Sequence, residues 1–293
     1  MSVLLAGSNG QLGKAFQNVF LKNNVDFIAL KKSEMDVTSK KSLFLNLSSI
    51  KPKILINTTA YTNVDLAETQ PDQASILNAY APLLMSEICN ELDITLIHFS
   101  TDYVFDGSKK SLYNITDSTN PINEYGKSKL AGEIEIQKNC AKYLIFRSSW
   151  LFSQYKKNFL KTILQLSSSN QELRVISDQF GTPTSAKDLA EAIFSILPRI
   201  QNDDFISGVY HYAGKDIFSW DQFASEIFTQ ALELKLIKKV PIIKKITTIK
   251  YNSAAPRPLY SALDSSNAIN EFKMKSSDTH IAIGKVLHDL KKI

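Results

Sequence analysis

The sequence predicts an α/β fold: a doubly wound, mostly parallel sheet with a smaller C-terminal lobe. Two observations carry this. Short apolar runs suited to buried strands recur through the first half of the chain, and amphipathic segments of helical period separate them. Strands that alternate with helices need crossover connections, and these place helices on both faces of a parallel sheet.

The strands are VLLAG (3–7), DFIAL (26–30), KILINTT (53–59), TLIHFST (95–101) and YLIFRSS (143–149). Between them, QLGKAFQNVFLKN (11–23) sets Leu12, Phe16, Val19 and Phe20 on one helical face, and 72–92 and 122–138 repeat the period. Past residue 150 the alternation loosens. FLKTILQLSS and SAKDLAEAIFSILPRI read as helices, LRVIS and GVYHYAG as strands. SWDQFASEIFTQALEL reads as a helix capped by Ser219, with Asp221 and Gln222 in its first turn. The tail, DTHIAIGKVLHDLKKI, is a last helix whose terminal lysines suit the macrodipole.

Composition narrows the function classes. With 44% hydrophobic and 22% charged residues, the 293-residue chain can bury a full core. Cys89 and Cys140, far apart among apolar neighbours, read as reduced thiols of a cytoplasmic protein. The net charge of +5 is spread along the chain. Its densest stretch, KKVPIIKK (238–245), lacks interleaved aromatics and reads as a solvated basic face, so no nucleic-acid partner is expected. MSVLLAGSNG has no basic leader, and no run nears the ~20 apolar residues of a membrane span. A soluble protein with no membrane partner is expected.

GSNGQLG (7–13) joins the first strand to the first helix. Glycines at that turn let the backbone approach a phosphate, and the helix N-terminus then faces the anion. In this strand–turn–helix context Gly7, Asn9, Gly10, Gln11, Leu12 and Gly13 are candidate dinucleotide contacts. The second strand is followed by Lys31 and Lys32. An acid there would favour the ribose hydroxyls of NAD; lysine favours a 2′-phosphate, hence NADPH, with NADH as the other option.

The chemical half of the site begins with STDYVFDG (100–107), at the carboxyl end of a strand, where ligands bind in open α/β sheets. PINEYGKSKLAGE (121–133) follows, with Tyr125 and Lys129 four apart on one helical face. Ketone reduction needs a hydride on carbon and a proton on oxygen. A tyrosine can give that proton, and a nearby ammonium can stabilise the phenolate left behind. Moving the phenol from a pKa of about 10 towards 7 takes about 4 kcal/mol of differential stabilisation. Thr101 would orient the carbonyl, Lys129 can also hold the nicotinamide ribose, and no metal is needed. His98 and His211 read as packed imidazoles, while Asn78 is a candidate to brace the site through backbone contacts.

The GxxGxxG spacing resembles the Rossmann sheet of the extended short-chain dehydrogenase/reductases. Together with YGKSKLAGE, RSSWLF (147–152), ISDQFGTPTSAKDLA (176–190) and APRPLYSALD (255–264), STDYVFDG is similar to the dTDP-4-dehydrorhamnose reductase family, in order along nearly the whole chain. The resemblance implies NADPH-dependent reduction of the 4-keto group of a dTDP-sugar, with Thr101, Tyr125 and Lys129 as the catalytic trio. It implies that Asp36 and Val37 lie beside the adenine, and Thr58, Thr59 and Ala60 under the ribose and nicotinamide. Trp150 would pack on the sugar, Val64, Tyr103 and Asn158 would touch substrate, and Arg257 would meet the phosphates. Residues 1–150 would bind NADP(H) and carry the catalytic groups, while 151–293 would be mainly the substrate-binding lobe, with some segments returning. Thr58 and Thr59 stand where the family usually has alanines. Ala15 stands where some members have an acid that helps build a metal-bridged dimer; a homodimer stays open. The competing readings are another nucleotide-sugar 4-ketoreductase or epimerase, and a non-catalytic regulatory subunit.

Overall fold

The computed structural model describes residues 3–169 and 171–292. Twelve strands occur there: β1 (Val3–Ala6), β2 (Phe27–Leu30), β3 (Ile54–Asn57), β4 (Thr95–Thr101), β5 (Tyr143–Ser148), β6 (Leu151–Phe152), β7 (Glu172–Ile176), β8 (Phe180–Gly181), β9 (Thr184–Ser185), β10 (Gly208–His211), β11 (Phe218–Ser219) and β12 (Ile242–Ile246). Six make one parallel sheet in the order β10-β5-β4-β3-β1-β2. The remaining strands pair two by two in the C-terminal region.

Alternation along the strands explains the two cores. Leu5, Ile56, Ile97 and Phe146 point to the face covered by helices Gln11–Lys22 and Ala186–Gln201. Leu4, Leu55, Leu96 and Ile145 point to the opposite face, covered by Lys40–Ile50 and Ala81–Glu91. A third core, around Phe152, Leu160, Phe223, Phe228 and Ile283, belongs to the C-terminal region. Residues after 150 also return to the large sheet: β10 pairs with β5, and helix Ala186–Gln201 packs on the first core.

Chain order reverses at β1, with β2 on one side and β3 on the other. This switch point opens a crevice at the carboxyl ends of the strands.

Of the elements that differ from expectation, three bear on the reading above. The predicted helix over 72–92 is Pro71–Ser75, a π-helical turn Ile76–Tyr80, then Ala81–Glu91. Helix Lys40–Ile50 was not anticipated, because only Leu43 and Leu47 are buried and the apolar period is weak. KKVPIIKK holds most of the strand β12, hidden by its exposed lysines, of which Lys244 lies 3.8 Å from Glu172 and Lys245 3.0 Å from Asp221. The cap on SWDQF is as expected: Gln222 Oε1 accepts the Ser219 amide at 2.8 Å.

Candidate active site

The glycine turn lies at the switch point. Gly7 has φ +81°, and a Cβ there would stand 2.8 Å from Thr58 Oγ1 and 2.9 Å from the Thr59 amide. Any side chain would therefore meet both left-handed strain and the β3 end. Gly10 precedes helix Gln11–Lys22 without a capping side chain, so its first amides remain available to an anion.

Two adjoining cavities extend from this turn. One, of about 290 Å³, is lined by Gly7, Asn9, Gly10, Lys31, Lys32 and Asp36, with Met35, Val37 and Leu77 as apolar walls. Thr58, Thr59 and Ala60 line both. The other, of about 570 Å³, runs past Gln11 and Leu12 to Thr101, Tyr125, Lys129, Trp150 and Asn158. Gly13 lines neither; it packs on the Gly7 carbonyl. The two threonines turn their hydroxyls back onto the protein. Thr58 Oγ1 donates to Ala6 O at 2.7 Å, and Thr59 Oγ1 to Asn57 Oδ1 at 2.6 Å.

Tyr125 opens helix Glu124–Asn139, which Asn123 caps by accepting the Gly126 amide at 2.7 Å. A Cβ on Gly126 would stand 2.2 Å from Tyr103 O, so a glycine lets Tyr125 settle against the turn that follows β4. Burial pushes the Tyr125 phenol up to about 12, the Thr101 hydroxyl works the other way, and the Asp102 carboxylate adds to the rise. Thr101 Oγ1 donates to Asp102 Oδ1 at 3.0 Å, and Ser261 Oγ donates to Asp102 Oδ2 at 2.5 Å. Buried with these partners, Asp102 is pushed up to about 7, burial outweighing both hydroxyls.

Lys129 departs from the expected pairing. Its Nζ donates to Phe99 O at 2.6 Å and lies 3.2 Å from His98 Nε2, so it is not directed at the phenol. Burial lowers its pKa to about 8, against the pull of Glu133 one turn on. The lysine expected to draw the Tyr125 pKa down is thus engaged elsewhere, and burial is the largest influence on the phenol.

Other candidates fall into two groups. Trp150, at φ +46°, lines the cleft with its ring stacked on Trp220 at 3.4 Å and 5°. Asn158 lines it too, yet its amide donates to Gln11 Oε1 at 2.7 Å and to Ser153 O, tying the glycine turn to the C-terminal region. Val64, Tyr103 and Arg257 are outside the cleft lining. Arg257 Nη2 donates to Asp65 Oδ2 at 2.8 Å instead, and the Tyr103 ring meets Tyr125 edge-on at 5.9 Å.

Several lining residues escaped the sequence reading. Ser148, which ends β5, is one; its hydroxyl, like that of Ser100 in the STDYVFDG stretch already singled out, is buried without a hydrogen-bond partner. The rule that ligands meet strand carboxyl ends could have found Ser148. Trp220, Lys156 and Lys157 carry no local signal. Asn78 sits in the π-helical turn, fully buried, with its side chain bridging the Tyr61 backbone (2.8 and 3.0 Å) and Ser128 Oγ (3.0 Å). Among the described residues no cluster of three His, Cys, Asp or Glu could hold a metal, and no helix is long and apolar enough to cross a membrane.

The residues fit a dinucleotide: an anion-facing helix start, a turn with no room for a Cβ, and orphaned hydroxyls in the cleft. Comparison with known proteins agrees. The RmlD substrate binding domain model matches residues 1–292. The dTDP-4-dehydrorhamnose reductase of Aggregatibacter actinomycetemcomitans is 36% identical over 286 residues, 97% of each chain. Among solved structures, a dTDP-4-dehydrorhamnose reductase of Clostridium acetobutylicum superposes with a TM-score of 0.91 at 32% identity, covering 100% of both chains. That of Bacillus anthracis, solved in complex with NADP, gives 0.90 at 31% identity over 98% of this chain and 99% of that one. With family model, relatives and fold in accord over the whole length, the chain belongs to the RmlD family of dTDP-4-dehydrorhamnose reductases.

Proposed function

We propose that the protein reduces the 4-keto group of dTDP-4-dehydro-6-deoxy-L-mannose to give dTDP-L-rhamnose, with Tyr125 as the proton donor. One observation carries this: Thr101, Tyr125 and Lys129 line a single cleft that continues into the cavity of the glycine turn. NADPH, when bound, supplies the hydride. Lys31 and Lys32 border the smaller cavity and would face its 2′-phosphate.

The phenol's raised pKa suits a donor, since Tyr125 keeps its proton until a ketone oxygen takes up charge beside it. Thr101 would orient that oxygen, and Lys129, as an ammonium, would stabilise and reload the phenolate. Lys156 and Lys157, which line the cleft, are better placed than Arg257 to meet the diphosphate, because Asp65 already neutralises the arginine. Trp150 would form the sugar's apolar wall. In this reading residues 1–150 handle cofactor and chemistry, and residues 151–293 chiefly the sugar nucleotide.

The test is to supply the dTDP-4-keto sugar with NADPH or NADH, follow loss of the reduced-nicotinamide absorbance, and determine the C4 configuration of the product by NMR. Rhamnose stereochemistry with NADPH consumption is expected. Absence of oxidation with either cofactor removes the reading, and the epimeric product reassigns it to another 4-ketoreductase.

A further inference from the structure

Along the cleft wall lies a buried chain of side chains of which the reaction as described uses only Lys129. Asn57, His98 and Lys129 are each 1% exposed or less. Asn57 ends β3, His98 lies in the middle of β4, and Lys129 is in the second turn of helix Glu124–Asn139. Their contacts run Thr59 to Asn57, Asn57 to His98 and His98 to Lys129.

Hydrogen-bond polarity fixes the direction of this chain. The Thr59 backbone N–H can only donate, and it reaches Asn57 Oδ1 at 2.9 Å; the Thr59 hydroxyl reaches the same oxygen at 2.6 Å. The Asn57 amide nitrogen therefore faces His98 Nδ1, at 3.0 Å, and donates to it. An imidazole that accepts at Nδ1 carries its proton on Nε2. That Nε2–H points at Lys129 Nζ, 3.2 Å away. A neutral amine has a lone pair to accept it; an ammonium has three donors and no acceptor. Charging Lys129 in this position sets hydrogen against hydrogen, unless the Thr59–Asn57 contacts break.

We propose that His98 is a positioning residue: it presents a fixed Nε2–H to Lys129, so that the lysine rests against it as an amine and turns into the cleft when it becomes an ammonium. The charge state of Lys129 and its direction are thereby one variable. The ammonium form faces Tyr125 and the ribose side of the cleft, where the proposed reaction needs it, and the amine form is parked. Burial already lowers the Lys129 pKa, and the Nε2–H donor acts in the same direction.

The ionisable surroundings do not offer another explanation. On its own helix Lys129 faces Tyr125 and Glu133, and Glu133 is spent on Arg147 of β5, at 2.6 Å. From β4 and the turn after it come His98 and, beyond Tyr125, Asp102. Of these ionisable groups, His98 alone has an atom within hydrogen-bond distance of Nζ among the described residues; the Phe99 carbonyl, 2.6 Å from Nζ, accepts from amine and ammonium alike.

The inference rests on the reductase reading for its use, but its test does not. The pH dependence of NADPH binding, read by quenching of protein fluorescence, should weaken as pH rises through the Lys129 pKa. In His98→Met, which has no donor, that limb should move up by about one pH unit, the size of one neutral hydrogen bond. His98→Gln keeps an N–H donor and should restore a near-wild-type limb. A folded His98→Met with an unmoved limb overturns the proposal. Should that variant fail to fold, the wild-type protein decides: ¹⁵N NMR must find His98 with Nδ1 bare and Nε2 protonated, and the opposite tautomer overturns it. If NADPH is never oxidised by any variant given the keto sugar, the reductase reading fails, while tautomer and binding limb still judge His98.

Discussion

The two ends of the cleft are built from different materials. At the glycine turn the site is main chain: the helix amides after Gly10, the φ +81° of Gly7 and the β3 end, with Thr58 and Thr59 bonded back onto the strands. At the chemical end it is side chains holding one another: Thr101 on Asp102, Asp102 on Ser261, Lys129 on Phe99 O and beside His98. A backbone site tolerates most changes of neighbouring side chain but no added Cβ. A side-chain site depends on the identity of each partner and changes with protonation. On the proposed reading, the first end would bind in one state, while protonation would switch the second.

The largest expected effect strikes the chemical end. Tyr125→Phe removes one oxygen and should lower kcat by about 10² to 10⁴-fold, the range of general acid catalysis, while leaving NADPH affinity within about twofold. Steady-state rates and a fluorescence titration measure the two. Near-wild-type turnover would mean that another group gives the proton.

The next effect separates the two materials by pH. Asp102 is about 3 units above the ordinary carboxylate value because its charge is buried, so the folded state binds its proton more tightly than the unfolded chain. Stability from this group is complete below pH 3.8 and is lost as pH rises towards about 7, to a total of about 4 kcal/mol. Urea midpoints at pH 5 and pH 8 should therefore differ less in Asp102→Asn than in the wild type. An unchanged difference would place the charge of Asp102 in contact with water.

At the other end, Gly7→Ala should cost about 1–3 kcal/mol of stability, from left-handed strain plus the contacts of the new Cβ. NADPH binding should weaken with it, since Thr58 and Thr59 must shift. Thermal melts with and without NADPH test this; a variant as stable as the parent and equally shifted by the cofactor would show that the turn is not rigid.

The same contrast explains what the sequence disclosed. The glycine turn was legible because its physical demand, no Cβ at a strand–helix junction, is written in three residues close together. Tyr125 and Lys129 were legible as a helical pair for the same local reason. Their partners were not. Ser261 is 159 positions from Asp102, His98 is 31 from Lys129, and the bonds between them depend on packing and not on spacing. Trp220 was hidden as an ordinary apolar residue of an amphipathic helix, although it faces Trp150. The π-helical turn at Ile76–Tyr80 was invisible because a single wide turn shifts the apolar period by only one residue, too little to set apart from ordinary irregularity.

The smallest effect tests the one place where a side chain matters at the backbone end. Lys31 is half exposed, its Nζ is 4.0 Å from Glu34, and it borders the smaller cavity. Asp36, in the same wall, is held below its usual range by the Thr38 amide and hydroxyl, so its charge is committed to its own turn. On the proposed reading, selection of a 2′-phosphate would then fall to the lysines. A charge contact in such an exposed position is worth about 1 kcal/mol, so Lys31→Asp, which reverses the sign, should move the NADPH to NADH ratio of kcat/KM by about tenfold or more. High salt should shrink the change, because exposed charges are screened. If the ratio is unmoved and Lys32→Asp moves it, the phosphate lies one residue along; if neither moves it, cofactor choice is made by the backbone end after all.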